Sequence, residues 1–157
     1  MRKAGFALAA LLAFGGWGCG ATTRDTTMIS TTARLTNAST TFMTRDDGKD
    51  EDSAIAVQVL EDGRLVAEGT AVNVDYHDQS VSPPLDLAVT RTLDANDLND
   101  AQVRLRLTPD GRDTWTFDMR LTLGLSDGSQ RSYFWSGLRL DENAPERVLA
   151  LNSGRLP

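Results

Sequence analysis

Hydrophobic and polar residues alternate with a period of two over most of the chain beyond residue 33. Val103, Leu105 and Leu107, for example, alternate with polar neighbours. The longest such run places these side chains on one face: Trp115, Phe117, Met119, Leu121, Leu123 and Leu125. Strands that bury one face produce this pattern. It predicts strands over 33–44, 54–61, 64–74, 85–92, 101–108, 114–125, 129–140 and 146–151, with a turn or two of helix within 93–100.

Turn-forming residues separate these segments. Asp-Gly pairs stand at 62–63, 110–111 and 127–128, where glycine tolerates positive φ and aspartate caps its own turn. Ser82-Pro83-Pro84 and Pro145 interrupt two other stretches. Short strands between regular turns predict an all-β fold, an antiparallel β-sandwich of about eight strands.

The two ends of such a sandwich collect different connections. Consecutive antiparallel strands reverse direction, so alternate connections emerge at the same end. We expect one end to gather residues 45–53, 75–84, 109–113 and 141–145. The other end then gathers 62–63, 93–100 and 126–128.

The N-terminus has the pattern of an export signal. Arg2 and Lys3 precede an uncharged apolar run over 4–14, and small residues surround Cys19. The apolar run is too short to span a bilayer as a mature helix. We therefore predict a signal peptide over 1–18, a flexible threonine-rich tether over 19–32 and a folded domain over 33–157.

Cys19 is the only cysteine, so it cannot form an internal disulfide. With Gly18 before it and a basic start, the segment resembles a bacterial lipoprotein signal. The resemblance implies that Cys19 becomes the acylated N-terminus. Because Gly20 follows in place of aspartate, it also implies anchoring in the outer membrane, on its periplasmic or surface side. Ordinary cleavage near Ala21, which would give a secreted protein, is the alternative.

The net charge of the chain limits the classes of molecule that it is expected to bind. The 157 residues carry 16 Lys and Arg against 22 Asp and Glu, a formal net charge of −6, which argues against nucleic acid. An acidic domain also repels anionic lipid headgroups, so the membrane partner would be reached through the lipid anchor.

Acidic residues concentrate in the connections expected at one end. Five acids fall within residues 45–52, and the other three connections of that end each bring a pair: Asp75 and Asp78, Asp110 and Asp113, and Asp141 and Glu142. Carboxylates brought together from different loops repel one another unless a cation neutralises them, and Ca²⁺ prefers oxygen ligands. The candidate metal ligands are Asp46, Asp50, Asp52, Asp110 and Asp113. A solvated acidic rim, with no bound cation, is the alternative.

Two segments carry a family resemblance. Thr44–Asp47 leading into Ile55–Val59 looks like the opening hairpin of PLAT (lipoxygenase-homology) domains. Leu98–Leu105, followed by a polar turn and Asp113–Phe117 with Trp115, is similar to later strands of that family. The resemblance implies a jelly-roll or PLAT-like sandwich of eight strands. It also implies binding of proteins or lipid surfaces, sometimes with Ca²⁺, without catalysis.

Tyr133 and Trp135 share one face of the strand over 129–140. If Phe134 points inward with Leu138 and Leu140, the two rings form an exposed platform of the kind that binds carbohydrate, lipid interfaces or protein partners. The alternatives are that both faces of this strand are covered, or that a bulge at Gly137 shifts the register.

Catalytic motifs are sparse. His77 is the only histidine, which excludes a histidine-rich zinc site, and no nucleophile elbow or phosphate loop occurs. The sequence therefore favours a non-catalytic binding or structural module of the bacterial envelope, with no required cofactor and Ca²⁺ as the candidate ion. A small secreted hydrolase that uses paired loop carboxylates is the second hypothesis.

Overall fold

Eight antiparallel strands build the domain. The computed structural model describes residues 32–46, 48–110 and 113–154. The strands are β1 (Leu35–Thr44), β2 (Ala54–Glu61), β3 (Arg64–Ala71), β4 (Leu85–Val89), β5 (Gln102–Thr108), β6 (Thr114–Leu125), β7 (Gln130–Asp141) and β8 (Glu146–Ala150). Short 3₁₀ turns cover Asp97–Asn99 and Leu151–Ser153. The prediction of an all-β, sandwich-like fold is confirmed, and the predicted strand bounds differ from these by no more than three residues at any end.

The strands follow the order β7-β6-β1-β4-β3-β2-β5-β8, so the sheet has two halves of four strands. A short pairing between β3 and β4, in which Ala67 faces Val89 and Glu68 faces Ala88, joins the halves. One hydrophobic core lies between them, to which most of the described strands contribute. The alternating face of β6 is its centre, since Trp115, Phe117 and Met119 are fully buried.

The connections sort to the two ends as the alternation of strands predicts. Lys49 pairs with Tyr76, and the Asp110 N–H donates to Ser53 Oγ at 3.1 Å, which joins three connections at one end. At the other end, Leu35 N–H donates to Leu93 O at 2.9 Å. We call the first end, formed by residues 45–53, 72–84, 109–113 and 142–145, the acidic end. Asp47, Gly111 and Arg112 lie outside the described residues.

The prediction of an exposed aromatic platform at Tyr133 and Trp135 is wrong. Both residues are buried, with 4% and 8% of their surface exposed. The register between β6 and β7 shifts beside Gly137, whose φ is 65°, so inward positions change from odd to even numbers along β7. Gly154 packs against the Trp135 ring, where its missing Cβ leaves room, and Trp135 Nε1 donates to Ser153 Oγ at 3.1 Å. The alternative of a bulge at Gly137 is therefore confirmed.

The predicted signal peptide, Cys19 and all but the last residue of the predicted tether lie outside the described residues. In the part of the chain that the structure describes, no helix has the length and apolar character needed to cross a membrane.

We predict that Trp115→Ala and Trp135→Ala both destabilise the domain strongly. Each removes a buried indole from a close-packed setting, so each should lower the free energy of unfolding by about 3–5 kcal/mol. Val148 is 49% exposed on β8, and Val148→Ala should change stability by less than about 0.5 kcal/mol. Denaturant unfolding measures all three, and a loss at Trp135 no larger than that at Val148 would contradict the burial of this ring.

Candidate functional site

The acidic end is organised by a reciprocal backbone pair between two loops. Lys49 N–H donates to Tyr76 O at 3.1 Å, and Tyr76 N–H donates to Lys49 O at 2.9 Å. Gly48 permits this close approach, because a Cβ there would lie 2.6 Å from the carbonyl oxygen of Tyr76. The first loop is also fixed at its start, where Gln79 N–H donates to Arg45 O at 2.8 Å.

The Lys49 side chain is completely buried. Its ammonium donates to the carbonyl oxygens of Asp50, at 2.6 Å, and of Ser53. The same Nζ lies 5.4 Å from the centroid of the Tyr76 ring, within the range of a cation–π contact. A buried ammonium is costly unless such partners satisfy it, so this contact set determines the path of the loop.

Aromatic rings connect the buried ammonium to the core. Tyr76 stacks on Trp115 with centroids 5.3 Å apart, and Trp115 stacks on Phe117 at 3.9 Å. Trp115 Nε1 donates to Thr44 Oγ1 at 3.1 Å, which satisfies the indole where it is buried. The loop that carries Lys49 therefore rests on buried aromatic side chains of the core.

Burial and charge act in opposite directions on Lys49. Desolvation lowers the pKa of the Lys49 ammonium below its usual 10.5. Four carboxylates oppose that shift, with Asp113 first, followed by Asp75, Asp50 and Asp52. Burial also raises the pKa of Tyr76 above its usual 10.0. Lys49 thus lies in the field of carboxylates from three loops and supplies one internal positive charge to them.

The five predicted ligands lie at this same end but differ in exposure. Asp46, Asp50, Asp52 and Asp110 are exposed, whereas Asp113 is buried and its Oδ2 has no hydrogen-bond partner. Within residues 32–46, 48–110 and 113–154, no group of three or more potential ligands is close enough to hold a metal ion. The structure brings the loops together without converging their carboxylates on one point.

Two shallow clefts share Asp50. One, of about 420 Å³, is lined by Asp50, Glu51, Asp52 and Asn73. The other, of about 440 Å³, is lined by Gly48, Asp50, Asp75, His77 and Asp78. Within it, His77 Nδ1 lies 3.0 Å from Asp75 Oδ2, and both side chains are largely exposed. Clefts with so many carboxylates attract cations and cationic groups.

Sequence reasoning missed Lys49, although a signal was present. Lys49 is the only lysine beyond Lys3, and apart from His77 every basic residue after it is arginine. A single lysine within a run of five acids suggests that the short, compact ammonium has a specific place, since arginine would bring a larger planar group.

Comparison with known proteins gives no information about the role of this site. No protein-family model matches the chain, and no curated protein matches it significantly. The PLAT and lipoprotein resemblances stay predictions.

We predict that Lys49→Met lowers the free energy of unfolding by about 2–3 kcal/mol, because the hydrogen bonds of the ammonium to two carbonyls are lost. The unfolded protein keeps its Lys49 proton up to a higher pH than the folded protein does, so stability from this group rises with pH. The difference in the free energy of unfolding between the wild type and Lys49→Met should therefore grow as the pH rises through the lowered pKa of Lys49 toward 10.5. Denaturant unfolding at a series of pH values measures this difference. Arg106→Met, which removes an exposed cation on β5, is the matched control and should show no such trend.

Calcium binding by these loops also stays a prediction. One ammonium leaves the exposed carboxylates in excess, so a bound Ca²⁺ would stabilise the fold by about 2.7 kcal/mol at 100 times its Kd. Melting curves in chelator and in millimolar Ca²⁺, at constant ionic strength, should differ by several degrees. The double variant Asp50→Asn with Asp113→Asn should abolish the difference. If Ca²⁺ raises the melting temperature no more than a control salt does, the prediction of a calcium site is wrong. Lys49 is then the cation that offsets the charge of these carboxylates.

Proposed function

We propose that this chain is an exported protein of the bacterial envelope, lipid-anchored at Cys19, whose folded domain is a non-catalytic binding or structural module. The basic and apolar N-terminal sequence followed by Gly18-Cys19 supports export and anchoring. The domain presents shallow carboxylate-lined clefts at one end, which suit recognition of a cationic partner surface.

The observation that carries the binding role is the set of exposed carboxylates at the end opposite to the start of β1. Arg34 and Leu35 lie among the connections of the end opposite to the acidic end: Arg34 N–H donates to Ser126 Oγ at 3.0 Å, and Leu35 pairs with Leu93. The ten residues of β1 then span about 33 Å to reach the acidic end. The described domain therefore begins at the end opposite to the acidic end.

This polarity gives the acidic loops a physical role. The exposed carboxylates lie at the end opposite to the first residues of β1, where a cationic partner is able to reach them. Long-range attraction raises the association rate of cationic partners and falls with salt. The same negative charge keeps the domain off an anionic lipid surface.

We predict that the mature chain begins at an acylated Cys19 and fractionates with the outer membrane. Cys19→Ser should move it from the detergent phase to the aqueous phase and remove the mass of the lipid. A thiol introduced by Asp52→Cys should react with a membrane-impermeant reagent once the outer membrane is permeabilised, with the inner membrane intact.

A photo-crosslinking residue separates the two ends of the domain. Placed at Asp52, it should give adducts with a partner in cells, whereas at the exposed Asn99 of the other end it should not.

In the thiol experiment, labelling of the Asp52→Cys variant that requires lysis of the inner membrane would contradict export. Adducts only from Asn99 would contradict the role of the acidic end.

A further inference from the structure

An apolar groove adjoins the acidic clefts. It lies between the end of β3 and the start of β4, has a volume of about 280 Å³, and its lining includes Val72, Val74, Tyr76, Pro83, Pro84 and Leu85. The connection that forms it also exposes two large apolar side chains, Val72 at 55% and Val81 at 66%. Isolated exposed valines are common, but Val72 lines an apolar groove at the end rich in carboxylates, and this combination indicates a binding surface.

One segment of backbone separates the apolar groove from the acidic clefts. Val72, Val74 and Tyr76 line the groove. Their neighbours Asn73, Asp75 and His77 line the two clefts instead. A bound molecule that crosses this segment would therefore meet apolar side chains on one side and carboxylates on the other.

In the described part of the chain, no residue makes a hydrogen bond with the backbone N–H or C=O of residues 72–75. A polypeptide that lies along the groove is able to pair with them, as in main-chain recognition of peptides. The groove is also smaller than most pockets for drug-sized molecules, and its size suits one or two side chains.

We propose that this groove binds a segment of a protein partner in which an apolar side chain stands between basic residues. The apolar side chain enters the groove, and the flanking ammonium or guanidinium groups meet Asp50 and Asp75 across the 72–77 segment. This inference rests on the proposed function, of which it specifies the partner chemistry. Its test in purified components is independent of export and anchoring.

Three blocked seven-residue peptides serve as probes. In the first, lysine alternates with leucine; in the second, glutamate replaces lysine; in the third, serine replaces leucine. Binding to the purified chain carrying Cys19→Ser is measured by calorimetry, so that no acyl chain competes for the groove. The first peptide should bind, the second should not, and the third should bind about tenfold more weakly or worse.

Matched variants locate the site. Val72→Ser should weaken the first peptide about tenfold, whereas Val148→Ser, at a valine of similar exposure on β8, should leave its affinity unchanged. Asp50→Asn with Asp75→Asn should weaken binding and flatten its salt dependence. Asp97→Asn with Asp100→Asn removes the same charge from the opposite end and should do neither.

Each contrary result overturns the proposal. Equal affinity of the leucine and serine peptides would reduce the interaction to charge alone. Unchanged affinity in Val72→Ser, or equal losses in the two aspartate double variants, would place binding elsewhere. Absence of binding by the first peptide would exclude this class of partner, while correct export and an acylated Cys19 would still support the proposed function.

Discussion

The backbone pair between Lys49 and Tyr76 is the contact on which the acidic end depends. It fixes two loops that begin on different strands. It also brings the Lys49 ammonium over the Tyr76 ring, where the ammonium donates hydrogen bonds to carbonyl oxygens of its own loop. Because Tyr76 rests on Trp115, the position of a surface loop is determined by the packing of the core. Without that ammonium, acidic loops held this close would repel one another with no internal cation to offset them.

This arrangement makes the acidic end ordered without making it neutral. Lys49 supplies one charge from inside, whereas Asp50 and Asp52 remain exposed on the outside. The loops can therefore present carboxylates to a partner and still hold defined positions, which reduces the entropy lost on binding. The apolar groove on the other side of residues 72–77 adds contact area of a different kind, and charge attraction combined with apolar burial is a common basis for specific recognition.

The edge strand β7 and the end opposite to the acidic end have polar groups that are paired within the domain. The segment over 151–154 covers Trp135, and Phe134 N–H donates to Gly154 O at 2.6 Å along the outer edge of β7. An edge occupied in this way offers fewer free backbone groups for unwanted pairing with other chains. Near the other end, Arg91 forms an ion pair with Glu61, so that carboxylate is neutralised by a direct partner. The acidic end differs from it in carrying five acids within a single connection, residues 45–52.

The sequence by itself determined the strands, the buried face of β6 and the sorting of loops to two ends, because each follows from a local period of two and from Asp-Gly turns. It also located most of the carboxylates of the site. Only the tertiary structure decided the burial of Lys49, the inward direction of Trp135 and the groove beside Val74. Burial of Lys49 needs the Tyr76 ring from another loop, and Trp135 turns inward because one extra residue at Gly137 changes the parity of β7. The groove forms only when the two ends of the connection between β3 and β4 approach each other. Periodicity records which residues alternate, but it carries no information about which distant segments will supply their partners.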